Sequence, residues 1–149
     1  MIKNKEGITF GAVDMVVTLL GVIIGLSFSG DRNIILTGIL VTGIADSFAN
    51  ASGIYAMSHV ENGESNIYPA IYCFMATFGT MILMVVPFLA YSLSQAVYIS
   101  ATISLILLVL FGYYAVPKST SKPYLVPLRF LIVGVSVGII CYVIGSVII

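Results

Sequence analysis

The chain has 149 residues, 60% of them apolar and only 8% charged, with a formal net charge of zero and a mean hydropathy of +1.14. A soluble domain carries about a quarter charged residues, so this composition excludes an ordinary water-soluble fold and points to an integral membrane protein. The balanced charge and the lack of any nucleic-acid-binding motif argue against a polyanionic partner. Cys73 and Cys141, the only cysteines, lie in separate apolar stretches without C-x-x-C spacing, and read as small packing residues rather than a disulfide framework or a zinc site.

A spanning helix needs about 20 apolar residues at roughly 1.5 Å rise each. In chain order the first candidate is 8–28, ended by the turn-forming run S-G-D-R-N at 29–33. Lys3 and Lys5 precede it as in a signal peptide, but the apolar run is too long for an h-region and has no small-residue cleavage site, so it reads as a retained span. The second candidate is 34–57, followed by the polar run S-H-V-E-N-G-E-S-N at 58–66. The third is 68–92, with Pro69 suited to its first turn and Pro87 placed to kink or open it late. A short break around Ser92–Gln95 leads to a fourth span, 96–115, and the loop V-P-K-S-T-S-K-P leads to a fifth, 126–149. Residues 1–149 therefore read as one all-α transmembrane domain of five helices, with no separate soluble domain or internal repeat.

Charge sets the orientation. With five spans, the N-terminus and the loops 58–66 and 116–127 share one side, which holds Lys3, Lys5, Lys118, Lys122 and, at a helix boundary, Arg129. The other side holds Arg32. The positive-inside rule then puts the N-terminus in the cytoplasm and the C-terminus outside. Tyr68, Tyr91, Tyr98, Tyr113, Tyr114 and Tyr124 fall near span ends, where an aromatic belt is expected.

The functional signal lies in polar residues inside the spans. Asp14 interrupts the first apolar run, at a cost of about 2.5–3.5 kcal/mol on insertion scales, so it is expected to face protein or water. Asp14, Thr18, Gly21 and Gly25 share one helical face, polar at one end and flat at the other, and the small-xxx-small pair Gly21/Gly25 suits close helix contact. On the second span Thr42, Asp46, Asn50, Gly53 and Met57 form another stripe. Two such stripes most simply face a common cavity. Carboxylate and amide oxygens suit divalent cations, while a thioether such as Met15 or Met57 favours softer ions. The competing reading is that each aspartate only bonds a neighbouring helix, Asp46 being satisfied locally by Asn50. His59, Glu61 and Glu64 read as a solvated loop rather than a metal-collecting cluster. Thr77, Thr80 and Met84 fit either a pore-lining stripe or packing, and Gly134, Gly138 and Gly145 read as a packing face. No nucleophile–base pair, phosphate loop or hydrolase motif is present, so the chain does not read as an enzyme.

The order of these features resembles the vacuolar iron transporter family. Its first-helix motif F-G-x-x-D-G-x-V-T-T-x-G-V-V-x-G is met between Phe10 and Gly25 by F-G-A-V-D-M-V-V-T-L-L-G-V-I-I-G, which keeps the aspartate, one threonine and three glycines. Its second-helix pattern A-D-x-x-S-M-x-x-G-E-Y is partly present between Ala45 and Tyr55 as A-D-S-F-A-N-A-S-G-I-Y. Phe111-Gly112, the basic loop and the stretch from Leu128 to Gly145 are similar to the family's last two helices. The sequence departs from the pattern at Met15, Asn50 and Ile54, and 58–66 stands where the family carries a glutamate-rich helical domain. The resemblance implies a homodimer whose translocation path runs between protomers along the first two helices, moving Fe²⁺ or Mn²⁺ out of the cytoplasm, with proton exchange as the coupling, and no bound cofactor. It implies a metal site at Asp14, Asp46 and Asn50, with Glu6 matching an N-terminal acid, and the second-span stripe adds Met57 as a further candidate ligand. The plasma membrane is the expected location. The alternatives are the same fold carrying another cation or small polar solute, and a non-transporting membrane scaffold.

The orientation is directly testable. A cysteine placed at Lys122 should resist a membrane-impermeant thiol reagent in sealed cells, whereas one at Ile149 should label. Labelling at position 122 from outside would refute an N-in chain of five spans.

Overall fold

In hydrocarbon every backbone N–H and C=O must find a partner within the protein, so apolar runs of this length form helices. The computed structural model describes residues 4–62, 66–117 and 121–149. They form α1 (Asn4–Leu26), α2 (Arg32–Asn62), α3 (Tyr68–Ala90), α4 (Leu93–Ala115) and α5 (Leu125–Ile148), with one 3-10 turn at Ser27–Ser29. All five helices are long and apolar enough to cross a membrane, and the described residues contain no strand. The expected all-α, five-span architecture is the observed one.

The boundaries follow local chemistry. After α1, the Ser27 and Ser29 hydroxyls donate back to the carbonyls of Ile24 and Leu26, both at 2.7 Å, and Gly30 takes the left-handed φ of 66° that closes the turn. Asp31 Oδ1 then accepts the Asn33 N–H at 2.7 Å, satisfying one of the donors left open at the start of α2. α2 does not stop at residue 57 as its hydropathy suggests. No proline or glycine intervenes before Gly63, so the helix continues through Ser58 and His59 to Asn62. Its 31 residues span about 46 Å, well beyond the hydrocarbon thickness. His59 is thus an exposed residue of a protruding helix end rather than of a loop, while Glu64 lies outside the described residues.

Pro69 sits in the first turn of α3, as its missing N–H requires. The same helix runs through Pro87 and ends at Ala90, so this proline falls in the last turn, where few backbone bonds remain to be broken. Ser92 and Gln95 belong to a capping box and not to a longer break: Gln95 Oε1 accepts the Ser92 hydroxyl at 2.9 Å and the Ser92 N–H at 3.4 Å, starting α4 at Leu93.

α1 is the central helix. It packs on all four others, and 44% of its most apolar window is buried, against 11% for α5 at the periphery. One face of α1 contributes Met15, Leu19 and Ile23 to a core shared with Ile35 and Ile39 of α2, Met81, Met84 and Phe88 of α3 and Ala96 of α4. Without a hydrophobic drive between helices in lipid, close contact comes from small residues. Gly7 and Gly11 of α1 seat against the α3 backbone at Pro69 and Cys73, and Gly112 of α4 seats on Pro127 of α5. Gly134 packs on Leu108, and Gly145 on the Gly25 backbone beside Phe28, so the expected packing face of α5 is realised against α4 and α1. The six belt tyrosines are all exposed on this single chain.

Four hydroxyls between helices are tied to their own backbone, whereas the buried Ser100 hydroxyl has no hydrogen-bond partner among the described residues. Thr77, Thr80, Ser47 and Ser104 each donate to the carbonyl four residues back, at 2.7–2.8 Å. Thr77 and Met84 are fully buried, and the α3 stripe is therefore packing, not a pore lining.

Gly112 and Gly79 make a matched stability test. A β-carbon at Gly112 would collide with the Pro127 backbone, whereas one at Gly79 meets nothing within 4 Å. Gly112→Ala should lower the melting temperature in detergent, and Gly79→Ala should hold or raise it, since alanine is favoured in helices by about 1 kcal/mol.

Candidate functional site

The two polar stripes meet where α1 and α2 cross antiparallel. Asp14 lies about 15 Å along α1 from its first residue, and Asp46 about 21 Å along α2, so both sit near the middle of their helices. The Asn50 side-chain amide donates to Asp14 Oδ2 at 2.7 Å. One turn on along α1 and one turn back along α2, Thr18 lies beside Asp46. The same antiparallel step continues to Gly38, which faces Val22 and Leu26. A four-residue advance on one helix matched by a four-residue retreat on the other keeps each stripe in register with its opposite.

This geometry brings together Asp14, Asp46 and Asn50, and with them Thr18. It also reassigns Asn50: the amide supports the aspartate across the interface rather than Asp46 one turn away on its own helix. The two carboxylates are close enough to interact electrostatically, and both are partly accessible in the single chain. Asp14 accepts one donor from the opposite helix, and both carboxylates keep lone pairs for a cation or a proton.

Other candidate residues are not drawn into the cluster. Glu6 lies about 12 Å before Asp14 along α1, exposed, and borders a depression of about 470 Å³ with Lys5, Thr9, Phe10, Ala115 and Pro117. Met57 lies about 10 Å beyond Asn50 towards that same end, and is 54% exposed. Met15 follows Asp14 in sequence but points into the core, fully buried. Among the described residues no three His, Cys, Asp or Glu side chains gather as they would to hold a metal within one chain.

Beyond the cluster, α1 forms the floor of an open groove of about 620 Å³ whose walls are α2 and α5. Thr18, Gly21 and Gly25 line the floor, Gly38 and Thr42 one wall, and Val137, Cys141 and Gly145 the other. Gly21 faces the Cys141 thiol, so the flat glycine face of α1 is used against α5 of the same chain. Cys73 is buried and Cys141 half-buried, and both are free thiols. The role of α5 in this groove was not visible in the sequence, because nothing in its apolar pattern says which face meets α1.

The fold and the paired acids define a polytopic, all-α membrane protein with a polar cluster between its first two spans. No family model, curated protein or solved structure matches the chain.

The Asp14–Asn50 bond can be measured by a double-mutant cycle with alanine at both positions. Hydrogen bonds between membrane helices couple by about 0.6–1.7 kcal/mol. The Asp14–Asn50 coupling should fall in that range and exceed the coupling of Asp46 with Asn50, read by reversible unfolding in detergent or bicelles.

Proposed function

We propose that the protein is a divalent cation transporter, moving Fe²⁺ or Mn²⁺ out of the cytoplasm across the plasma membrane in exchange for protons. The observation that carries this reading is the meeting of Asp14 and Asp46, two acids from different spans, near mid-helix. Intramembrane acids are expensive and mark ion or proton pathways. Asn50 holds Asp14 in place, and the remaining carboxylate oxygens are hard donors of the kind that divalent cations take.

The resemblance to the vacuolar iron transporter family supports the same reading and adds a homodimer. One chain offers two carboxylates, an amide and a hydroxyl, whereas a divalent ion takes about six oxygens. A second copy placed across the α1–α2 face would double the donor set and enclose the groove, giving a path at the protomer interface. Loss of the cation would leave two carboxylates between the spans, and intramembrane acids of this kind mark proton pathways. That exchange is the basis for proton coupling.

A specific observation favours a second reading. Asp14 is already hydrogen-bonded to Asn50 across the helix pair, which by itself staples α1 to α2, as a scaffold subunit would need. Asp14→Asn separates the two. The substituted amide can still accept from Asn50, so fold and self-association should persist. Uptake of Mn²⁺ and Fe²⁺ into proteoliposomes should fall by at least about tenfold, because the amide cannot carry the charge; Asp46→Asn should reduce it less. Wild-type flux in Asp14→Asn, or no flux of either ion in the unmodified protein at any pH gradient, would overturn the transport reading.

A further inference from the structure

Three of the four described lysines and arginines lie at one end of the bundle, where α1 and α5 begin and α4 finishes. Lys5 is on α1, Lys122 on the α4–α5 turn and Arg129 in the first turns of α5, and all three are exposed. Gly112 on Pro127 ties α4 to α5 at this end. α1 reaches the same place through Lys5, whose ammonium stands over the Tyr114 ring of α4 at 5.0 Å from its centroid. Tyr113, Tyr114 and Tyr124 are exposed here, as residues at the level of phospholipid headgroups are.

Between α1 and the end of α4 lies the open depression of about 470 Å³ lined by Lys5, Glu6, Thr9, Phe10, Ala115 and Pro117. The Thr9 hydroxyl donates to the Lys5 carbonyl at 2.9 Å, so it is spent within α1, and the Lys5 ammonium supplies the N–H donors. Phe10, Ala115 and Pro117 give the depression an apolar wall. A cation at headgroup height beside an apolar wall matches the phosphate and the upper acyl chain of a phospholipid, and basic pockets between spans take anionic headgroups. We infer that this depression binds an anionic phospholipid, with the phosphate on Lys5 and the chain along Phe10. Contact with Tyr114 restricts Lys5 before the lipid arrives, which lowers the ordering cost of binding. Lys122 and Arg129 add to the attraction, and Glu6 opposes it. The orientation expected from the positive-inside rule puts the site in the leaflet that carries anionic lipids. The inference is independent of what the acid cluster carries.

The test titrates lipid into the whole chain in detergent and follows bound lipid by native mass spectrometry. The probes are phosphatidylglycerol and phosphatidylcholine with identical acyl chains. Phosphatidylglycerol should bind at least about tenfold more tightly, and Lys5→Gln should cut that preference by roughly fivefold, the factor that one basic residue near a charged surface is worth. Lys5→Arg keeps the charge and the ring contact and should preserve the preference. Glu6→Gln should increase it, and Phe10→Ala should weaken both lipids alike. Lys122→Gln measures diffuse attraction, and its effect should be smaller than that of Lys5→Gln. Equal affinity for the two lipids, or equal losses in Lys5→Gln and Lys122→Gln, overturns the site. Displacement of phosphatidylglycerol by millimolar inorganic phosphate overturns the lipid assignment in favour of a free anion. Lys5 and Glu6 are exposed, so their variants leave the core untouched, and the comparison of the two lipids on the unmodified chain decides the matter without any variant.

Discussion

A carboxylate at hydrocarbon depth has to be compensated by protein, and this chain carries one on each of two adjacent spans. Asn50 of α2 donates to Asp14 of α1, and Thr18 of α1 lies beside Asp46 of α2. Neither helix could bring its acid into the bilayer on these terms alone. The pairing therefore fixes the relative height of α1 and α2, since a slip of one residue would rotate the Asn50 amide away from Asp14. Much of the remaining architecture is arranged so that α1 can hold this position.

The means is close backbone approach. α1 uses Gly7 and Gly11 against α3 and Gly21 and Gly25 beside α5, while its bulky residues Met15, Leu19 and Ile23 fill the core between those contacts. One helix can thereby touch four neighbours and still leave a polar face open towards the groove. The hydroxyls of Ser47, Thr77 and Ser104 bond to their own helix backbone, so they do not compete for the acids. At the far end, Arg32 donates from Nη2 to the Tyr91 carbonyl at 2.8 Å, joining the α1–α2 turn to the end of α3.

This division of labour bears on how a transport site can coexist with a stable bundle. The core shared by α1, α2, α3 and α4 is apolar and closed, while the acids sit on another face of α1, at its contact with α2. Separation of this kind lets the donor set at the cluster change without disturbing the packing that holds it. Asn50 is half-buried at the cluster and is not part of the buried core.

The membrane class, the five helices and the two acid-centred stripes were legible in the sequence because each rests on composition or on a repeat within one helix. Length and hydropathy decide whether a segment spans, and spacing of 3.6 residues decides which residues share its face. Helix ends were less legible where hydropathy and hydrogen bonding part company: α2 outruns its apolar segment to Asn62 because no residue breaks it, and α4 starts early because Ser92 and Gln95 cap it. What only the tertiary structure decided is the partner of each polar or small residue. Periodicity placed Asn50 beside Asp46, yet its amide reaches Asp14; it marked Gly21 and Gly25 for close helix contact, but only the packed bundle shows that α5 is the helix across them; it set Met15 next to Asp14 in the chain, yet on the core side of the helix. Side-chain pairing between helices depends on their relative height and rotation, and that information belongs to the packed bundle rather than to any one of its segments.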